Sequence, residues 1–177
     1  MKKILTATAV AMMLASAAMA DYTFALVPKA MNNPFFDLAR DGCFQAQDEL
    51  ADVTCEYIGP GEHTELEQIQ IVQDLITKGV DGIAVAPSNA PAMGKILDDA
   101  VQLGIPVITW DSDLLPEDAE LRVTYVGTNN YDIGVNLAKL VQARHPNGGT
   151  ICLQTGGGSG SKPQRTLERS SRYTFWY

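Results

Sequence analysis

Short apolar runs alternate with amphipathic segments through most of this chain, and that alternation constrains the fold more than any single motif. The first run, Tyr22-Thr23-Phe24-Ala25-Leu26-Val27, is rich in aromatic and β-branched residues and is closed by Pro28. Asn33, preceding Pro34, is pushed toward extended backbone, and Pro34 suits the first turn of a helix. Leu38, Gly42, Gln45 and Ala46 then predict a helix over 35–50. A second strand, 53–58, ends at Gly59-Pro60-Gly61. Thr64-Glu65-Leu66-Glu67 reads as a capping box, opening a helix carried by Ile69, Val72, Leu75 and Ile76 and stopped by Gly79. A third strand over 82–86, a third helix over 92–103 stopped by Gly104, and a fourth strand over 105–110 complete the repeat. Strand–helix alternation with short loops requires a four-stranded doubly wound parallel α/β sheet with right-handed crossovers. An acidic loop over 114–120 and a short strand over 122–126 follow. Gly127-Thr128-Asn129-Asn130 caps a fourth helix over 131–144, and Pro146-Asn147-Gly148-Gly149 turns into a strand over 150–154.

In an open parallel sheet, ligands bind beyond the carboxyl ends of the strands. The residues that emerge there are Asn32, Asn33, Phe35 and Phe36, then Ser88 and Asn89, then Trp110, Asp111 and Asp113. Aromatic faces cover the C–H side of a sugar ring, while amides and carboxylates bond its hydroxyls, so this set suits a polyhydroxylated ligand. The plainer alternative makes 105–113 a structural strand with Asp113 as a cap and Trp110 in the core, and puts one of the two phenylalanines in a core cluster.

The formal net charge of −8 argues against nucleic acid and anionic lipid as partners. Lys2 and Lys3, an apolar run over 4–14 and the small residues Ala18-Met19-Ala20 read as a secretory signal peptide, 1–20, cleaved before Asp21 for export to the periplasm. The apolar run is too short to span a bilayer. In an oxidising compartment Cys43 and Cys55 suit a disulfide between a helix and the strand after it; two buried free thiols are the alternative. No metal or other cofactor is expected, because His63 and His145 stand outside any ligand-spaced cluster. Nor is an enzyme: the first strand leads to no Gly-x-Gly-x-x-Gly, no Gly-x-Ser-x-Gly elbow occurs, and the glycine-rich stretch at 156–160 lacks the Gly-Lys-Ser/Thr ending of a phosphate loop.

The signal peptide, Asn32-Asn33-Pro34-Phe35-Phe36, Gly104-Ile105-Pro106-Val107, Thr109-Trp110-Asp111-Ser112-Asp113 and Tyr125-Val126-Gly127-Thr128-Asn129-Asn130, taken as a set, resemble the periplasmic sugar-binding proteins of ABC transporters, in the ribose-binding-like branch. The resemblance runs from Asp21 to about Thr155. It implies a type I fold of two doubly wound lobes joined by a three-strand hinge and closing on a monosaccharide, with delivery to a transporter permease by a monomeric receptor. By motif, Asn33, Phe35 and Phe36 would touch the sugar from the first lobe, and Asp111 matches the ligand-binding aspartate. Many relatives carry an arginine where this chain has Ser112, so a pentose-type contact is lost there. Trp-Asp-Ser-Asp also resembles receptors for furanone signals, so a chemotaxis or quorum-sensing receptor is the alternative function.

The family is about twice as long as this chain. The expected organisation is a signal peptide over 1–20, an essentially complete amino-terminal lobe over 21–145, the start of a second lobe over 146–155, and an out-of-frame or disordered tail over 156–177. Residues 21–160 hold seven Lys and Arg against twenty Asp and Glu, whereas 161–177 hold four against one, with four of the thirteen aromatics in the last five positions. Shifting the frame by one nucleotide permits Asn-His-Asn-Glu-Arg at 162–166, a pattern that such receptors carry. A frameshift near 155–158, with impaired sugar capture, is therefore expected.

Overall fold

Five strands, all parallel, form the main sheet of the computed structural model, which describes residues 21–153 and 171–175. The expected signal peptide and the tail residues 156–170, 176 and 177 lie outside the described residues. The strands are β1 (Tyr22–Val27), β2 (Val53–Tyr57), β3 (Gly82–Val85), β4 (Val107–Trp110) and β5 (Thr124–Val126), in the order β2-β1-β3-β4-β5. The chain winds from β1 outward to β2, then crosses to the other side of β1 for β3, β4 and β5. Its direction therefore reverses between β1 and β3, which opens a crevice at their carboxyl ends. The sheet has five strands rather than the expected four, because the short run after the acidic loop pairs with β4, Thr109 opposite Tyr125 and Trp110 opposite Val126.

The helices are α1 (Asp37–Glu49), α2 (Glu65–Lys78), α3 (Ala90–Gln102) and α4 (Asn130–Arg144). Helix α1 is preceded by a 3-10 turn at Pro34–Phe36, where a continuous helix from residue 35 was expected. The Asn33 side chain caps that turn by accepting the Phe35 N–H at 3.0 Å. Thr64 stands at the N-cap of α2, but its hydroxyl makes no capping hydrogen bond, so the expected capping box does not form. Its carbonyl accepts the Gln68 N–H as the first bond of the helix, and Glu65 at the first helical position accepts from the Asn89 amide at 2.8 Å. Gly79 and Gly104 end α2 and α3 at φ of 73° and 79°, a left-handed conformation that glycine takes without a Cβ penalty.

The core lies on one face of the sheet. Ala25, Val27, Ile83, Val85 and Val107 pack there against Val72, Leu75 and Ile76 of α2 and Met93, Leu97 and Ala100 of α3. The opposite face holds a smaller cluster, Phe36 and Trp110 with Leu26, Ala84 and Ala39 of α1, and no residue of α1 itself is fully buried. A disulfide between Cys43 and Cys55, Cα atoms 5.9 Å apart, ties α1 to β2. Helix α4 likewise buries nothing, and Ile133, Leu137 and Leu140 stay exposed along it. Packing on the sheet thus ends near 127–129, where the chain leaves β5 for α4. After α4 comes β6 (Gly149–Leu153), antiparallel to β7 (Ser171–Phe175). Within the segment expected to be an out-of-frame or disordered tail, 171–175 form β7, and Ser-Arg-Tyr-Thr-Phe is rich in residues that suit a strand.

Candidate functional site

Three loops meet above the carboxyl ends of β1, β3 and β4. Beneath them Gln68, fully buried on α2, sets the geometry. Its amide donates to the carbonyls of Pro28 at 2.9 Å and Ala86 at 2.8 Å, and its oxygen accepts the Ser88 N–H at 2.9 Å. One side chain thereby brackets the loops after β1 and β3 and meets three backbone groups that burial would otherwise leave unsatisfied.

Asp111 follows β4 at φ 59°, the only non-glycine residue with positive φ among those described. Aspartate tolerates this left-handed conformation better than most residues, and backbone strain of this kind is concentrated at functional sites. The backbone is pinned on both sides: the Asp111 N–H donates to the Val126 carbonyl at 3.0 Å, and the Tyr125 hydroxyl donates to the Asp111 carbonyl at 2.9 Å. So placed, the carboxylate accepts from the Lys29 ammonium at 2.7 Å, and both side chains keep about a quarter of their surface exposed. Lys29 comes from the loop after β1 and reaches across β3 to do this. In the sequence Lys29 is marked only by its position immediately after Pro28, which closes the first strand.

The aromatic residues divide by role. Phe36 is buried with Ala86 and Trp110, its ring edge-on to Trp110 at 5.4 Å. Phe35 is 63% exposed and stands edge-on to Phe36 at 5.2 Å. Trp110 is largely buried, with its indole N–H on the Ala84 carbonyl at 3.3 Å. Phe35, Trp110, Asp111 and Val126 line an open cavity of about 320 Å³, together with Leu38, Ala39, Gly127 and Thr128. A second cavity of about 440 Å³ adjoins it through Gly127 and Thr128. Of the residues singled out in the sequence, Phe35, Trp110 and Asp111 therefore converge on one hollow.

The others have structural partners. Asn33 caps the 3-10 turn, and Asn89 caps α3 by accepting the Ala92 N–H at 3.0 Å. The Ser112 hydroxyl donates to the Pro87 carbonyl at 2.8 Å. Ser88 is buried and lines neither cavity; its hydroxyl has no hydrogen-bond partner among the described residues. Asp113 borders the second cavity but its oxygens are taken. They accept from Arg122 at 2.5 and 2.6 Å, from the Thr109 hydroxyl at 2.6 Å and from the Leu114 N–H at 2.9 Å. Burial pushes the Asp113 carboxyl up, but Arg122, Thr109 and Leu114 together outweigh it and hold it below its usual range. Arg122, missed in the sequence, is thus a brace between the β4 loop and β5. Tyr125 is shifted upward, first by burial and then by the nearby charges of Asp111 and Asp113, so it is a neutral hydrogen-bond donor at physiological pH.

Residues 24–169 match the family described as periplasmic binding protein domain. Among curated proteins, the chain is 33% identical over 112 residues to the D-ribose/D-allose-binding protein of Pseudomonas aeruginosa, covering 60% of this chain and 35% of that one. It is 29% identical over 168 residues to the ribose import binding protein RbsB of Salmonella typhimurium, covering 93% of this chain and 55% of the relative. Among solved structures, GanP, a glucose-galactose binding protein from Geobacillus stearothermophilus, superposes with a TM-score of 0.71 at 30% identity, over 79% of this chain and 49% of that one. An ABC transporter solute binding protein from Burkholderia graminis in complex with D-arabinose gives 0.64 at 34%, over 74% and 44%. The chain thus spans about half the length, or less, of the relatives it matches. With a parallel sheet of this order and a match over 24–169, the chain belongs to the periplasmic binding protein family, in its type I, ribose-binding-like form.

Proposed function

We propose that this chain supplies one wall of a periplasmic receptor that captures a monosaccharide for an ABC importer, and that its own capture of sugar is weak. The observation that carries the reading is Asp111, paired with Lys29 and lining one hollow with Phe35 and Trp110 at the carboxyl edge of the sheet. An ammonium donates and a carboxylate accepts, so together they address two neighbouring hydroxyls of a sugar, while the Phe35 ring offers an apolar platform for its C–H face. The named ligands of the ribose, allose, arabinose and glucose-galactose binding relatives are of this chemical class. The likeness to LsrB of Clostridium saccharobutylicum in complex with AI-2, at 22% identity, bears on the fold alone and does not favour a furanone receptor.

Weak capture follows from the open side of the hollow, where Phe35 and Val126 remain 63% and 58% exposed. Desolvation strengthens polar contacts, and a one-walled site leaves its ligand largely in water. In this reading the ligand contacts are Lys29, Phe35, Trp110 and Asp111. Asn33, Phe36 and Ser88 shape the wall from behind, and Asp113 braces it. Titration of the isotope-labelled chain with D-ribose, D-allose and D-arabinose, followed by amide NMR, tests this. The expected result is millimolar affinity with shifts confined to Lys29, Phe35, Trp110, Asp111 and Thr128, abolished in Asp111→Ala. Shifts that survive in Asp111→Ala, or none at these positions with any sugar, would overturn the site; micromolar affinity would overturn the impairment.

A further inference from the structure

The Tyr125 hydroxyl carries one proton and stands within reach of two acceptors. It lies 2.9 Å from the Asp111 carbonyl and 3.2 Å from the Thr128 carbonyl. Those acceptors belong to different parts of the molecule. Asp111 is the strained residue whose carboxylate meets Lys29, and Thr128 lies in the segment 127–129, where the chain leaves the sheet for α4. Gly127 and Thr128 also form the wall shared by the two cavities. The ring is seated closely, since a Cβ at Gly127 would run into the Tyr125 hydroxyl and ring carbons. A glycine at 127 is needed for this packing, not for an unusual φ.

We propose that Tyr125 is a positioning residue that couples the ligand carboxylate to the segment 127–129, by sharing one hydroxyl proton between the Asp111 and Thr128 carbonyls. Since one proton cannot satisfy both acceptors fully, a stronger bond to one weakens the bond to the other. Movement of 127–129 toward the ring loosens the clamp on Asp111. A ligand that tightens Asp111 in turn frees Thr128. The inference deepens the proposed sugar site, because Asp111 matters here as the ligand carboxylate.

The test uses the full 177-residue chain, labelled with 13C and 15N and without sugar, so that its outcome is separate from that of the sugar titration. Tyr125→Phe keeps the ring and removes the proton. The expected result is that the carbonyl resonances of Asp111 and Thr128 both move, and that protection of the Asp111 amide from exchange falls about five- to tenfold, the worth of one hydrogen bond. Gly127→Ala, which displaces the ring instead, should reproduce both changes, and the double variant should add nothing to either single one. Movement of only one carbonyl in Tyr125→Phe, or additive effects in the double variant, would overturn the coupling. Were Tyr125→Phe to unfold, Gly127→Ala would decide by the same two carbonyls.

Discussion

The two faces of the sheet are held by different means. On one, α2 and α3 bury a continuous apolar cluster in which Val27, Val72, Val85, Met93 and Leu97 have no measurable exposure. On the other the cluster is small, Phe36 and Trp110 with Leu26, Ala84 and Ala39; α1 contributes no fully buried residue, Leu38 is turned to solvent, and the Cys43–Cys55 bond adds a covalent tie between α1 and β2. The difference runs through the proposed site. Helix α1 follows directly from Asn33-Pro34-Phe35-Phe36, so the site's exposed aromatic is carried by the face with the thinner packing, whereas Gln68, which brackets the strand-end loops, is rooted in the thicker one. A rigid bed and a tethered flank make up one site.

Three measurements would break or sharpen that contrast. The largest effect is expected from Leu97→Ala in the packed face, a loss of roughly 2–5 kcal/mol in chemical denaturation; Leu38→Ala on α1 should cost under about 0.5 kcal/mol. If the two cost the same, the faces are not different in kind. Replacing Cys43 and Cys55 together by serine should cost about 3 kcal/mol, the scale for a bridge closing a loop of this length. Hydrogen exchange should rise along α1 and at Phe35 while α2 and α3 stay protected. Equal exchange in all three helices would dissolve the distinction. The smallest effect belongs to the brace on β4. Because the Asp113 carboxyl titrates below its usual range in the folded chain, its contribution is present above the ordinary carboxylate value and is lost as pH falls through the lowered one. Asp113→Asn should therefore cost about 1 kcal/mol at neutral pH, and wild type and variant should converge in melting temperature at acid pH. A constant gap across the range would show that the charge on Asp113 is not what matters.

Much of this architecture is legible in the sequence, and what is not has physical reasons. Apolar runs bounded by Gly and Pro placed β1 to β4 and their helices, because burial and chain reversal leave compositional marks. Gly79 and Gly104 marked their helix ends because few other residues take positive φ cheaply. Asp111 and Phe35 could be picked out as residues that follow strands. By contrast, the capping box at Thr64 depended on a side-chain rotamer that the residue pattern does not reveal. Lys29 and Arg122 escaped notice because their partners lie 82 and 9 positions away, and nothing local announces a contact of either kind. Gln68 sits on the same helical stripe as Val72, Leu75 and Ile76, so its polarity on a buried face was a visible clue to strand-end loops needing donors.

The conformation of Asp111 also bears on how such a site can diverge. At φ 59° the acceptable replacements are few: glycine, and asparagine, which shares aspartate's ease in the left-handed region. Asparagine is one base change away from aspartate and removes the charge while keeping the shape, whereas glutamate, with a longer stem, would bear about 1–2 kcal/mol of backbone cost. Mutational variation at position 111 is thereby channelled toward neutralising the carboxylate rather than lengthening it. In the proposed sugar site, new ligand preferences would arise more readily by changing Lys29 or Phe35, neither of which has a positive φ.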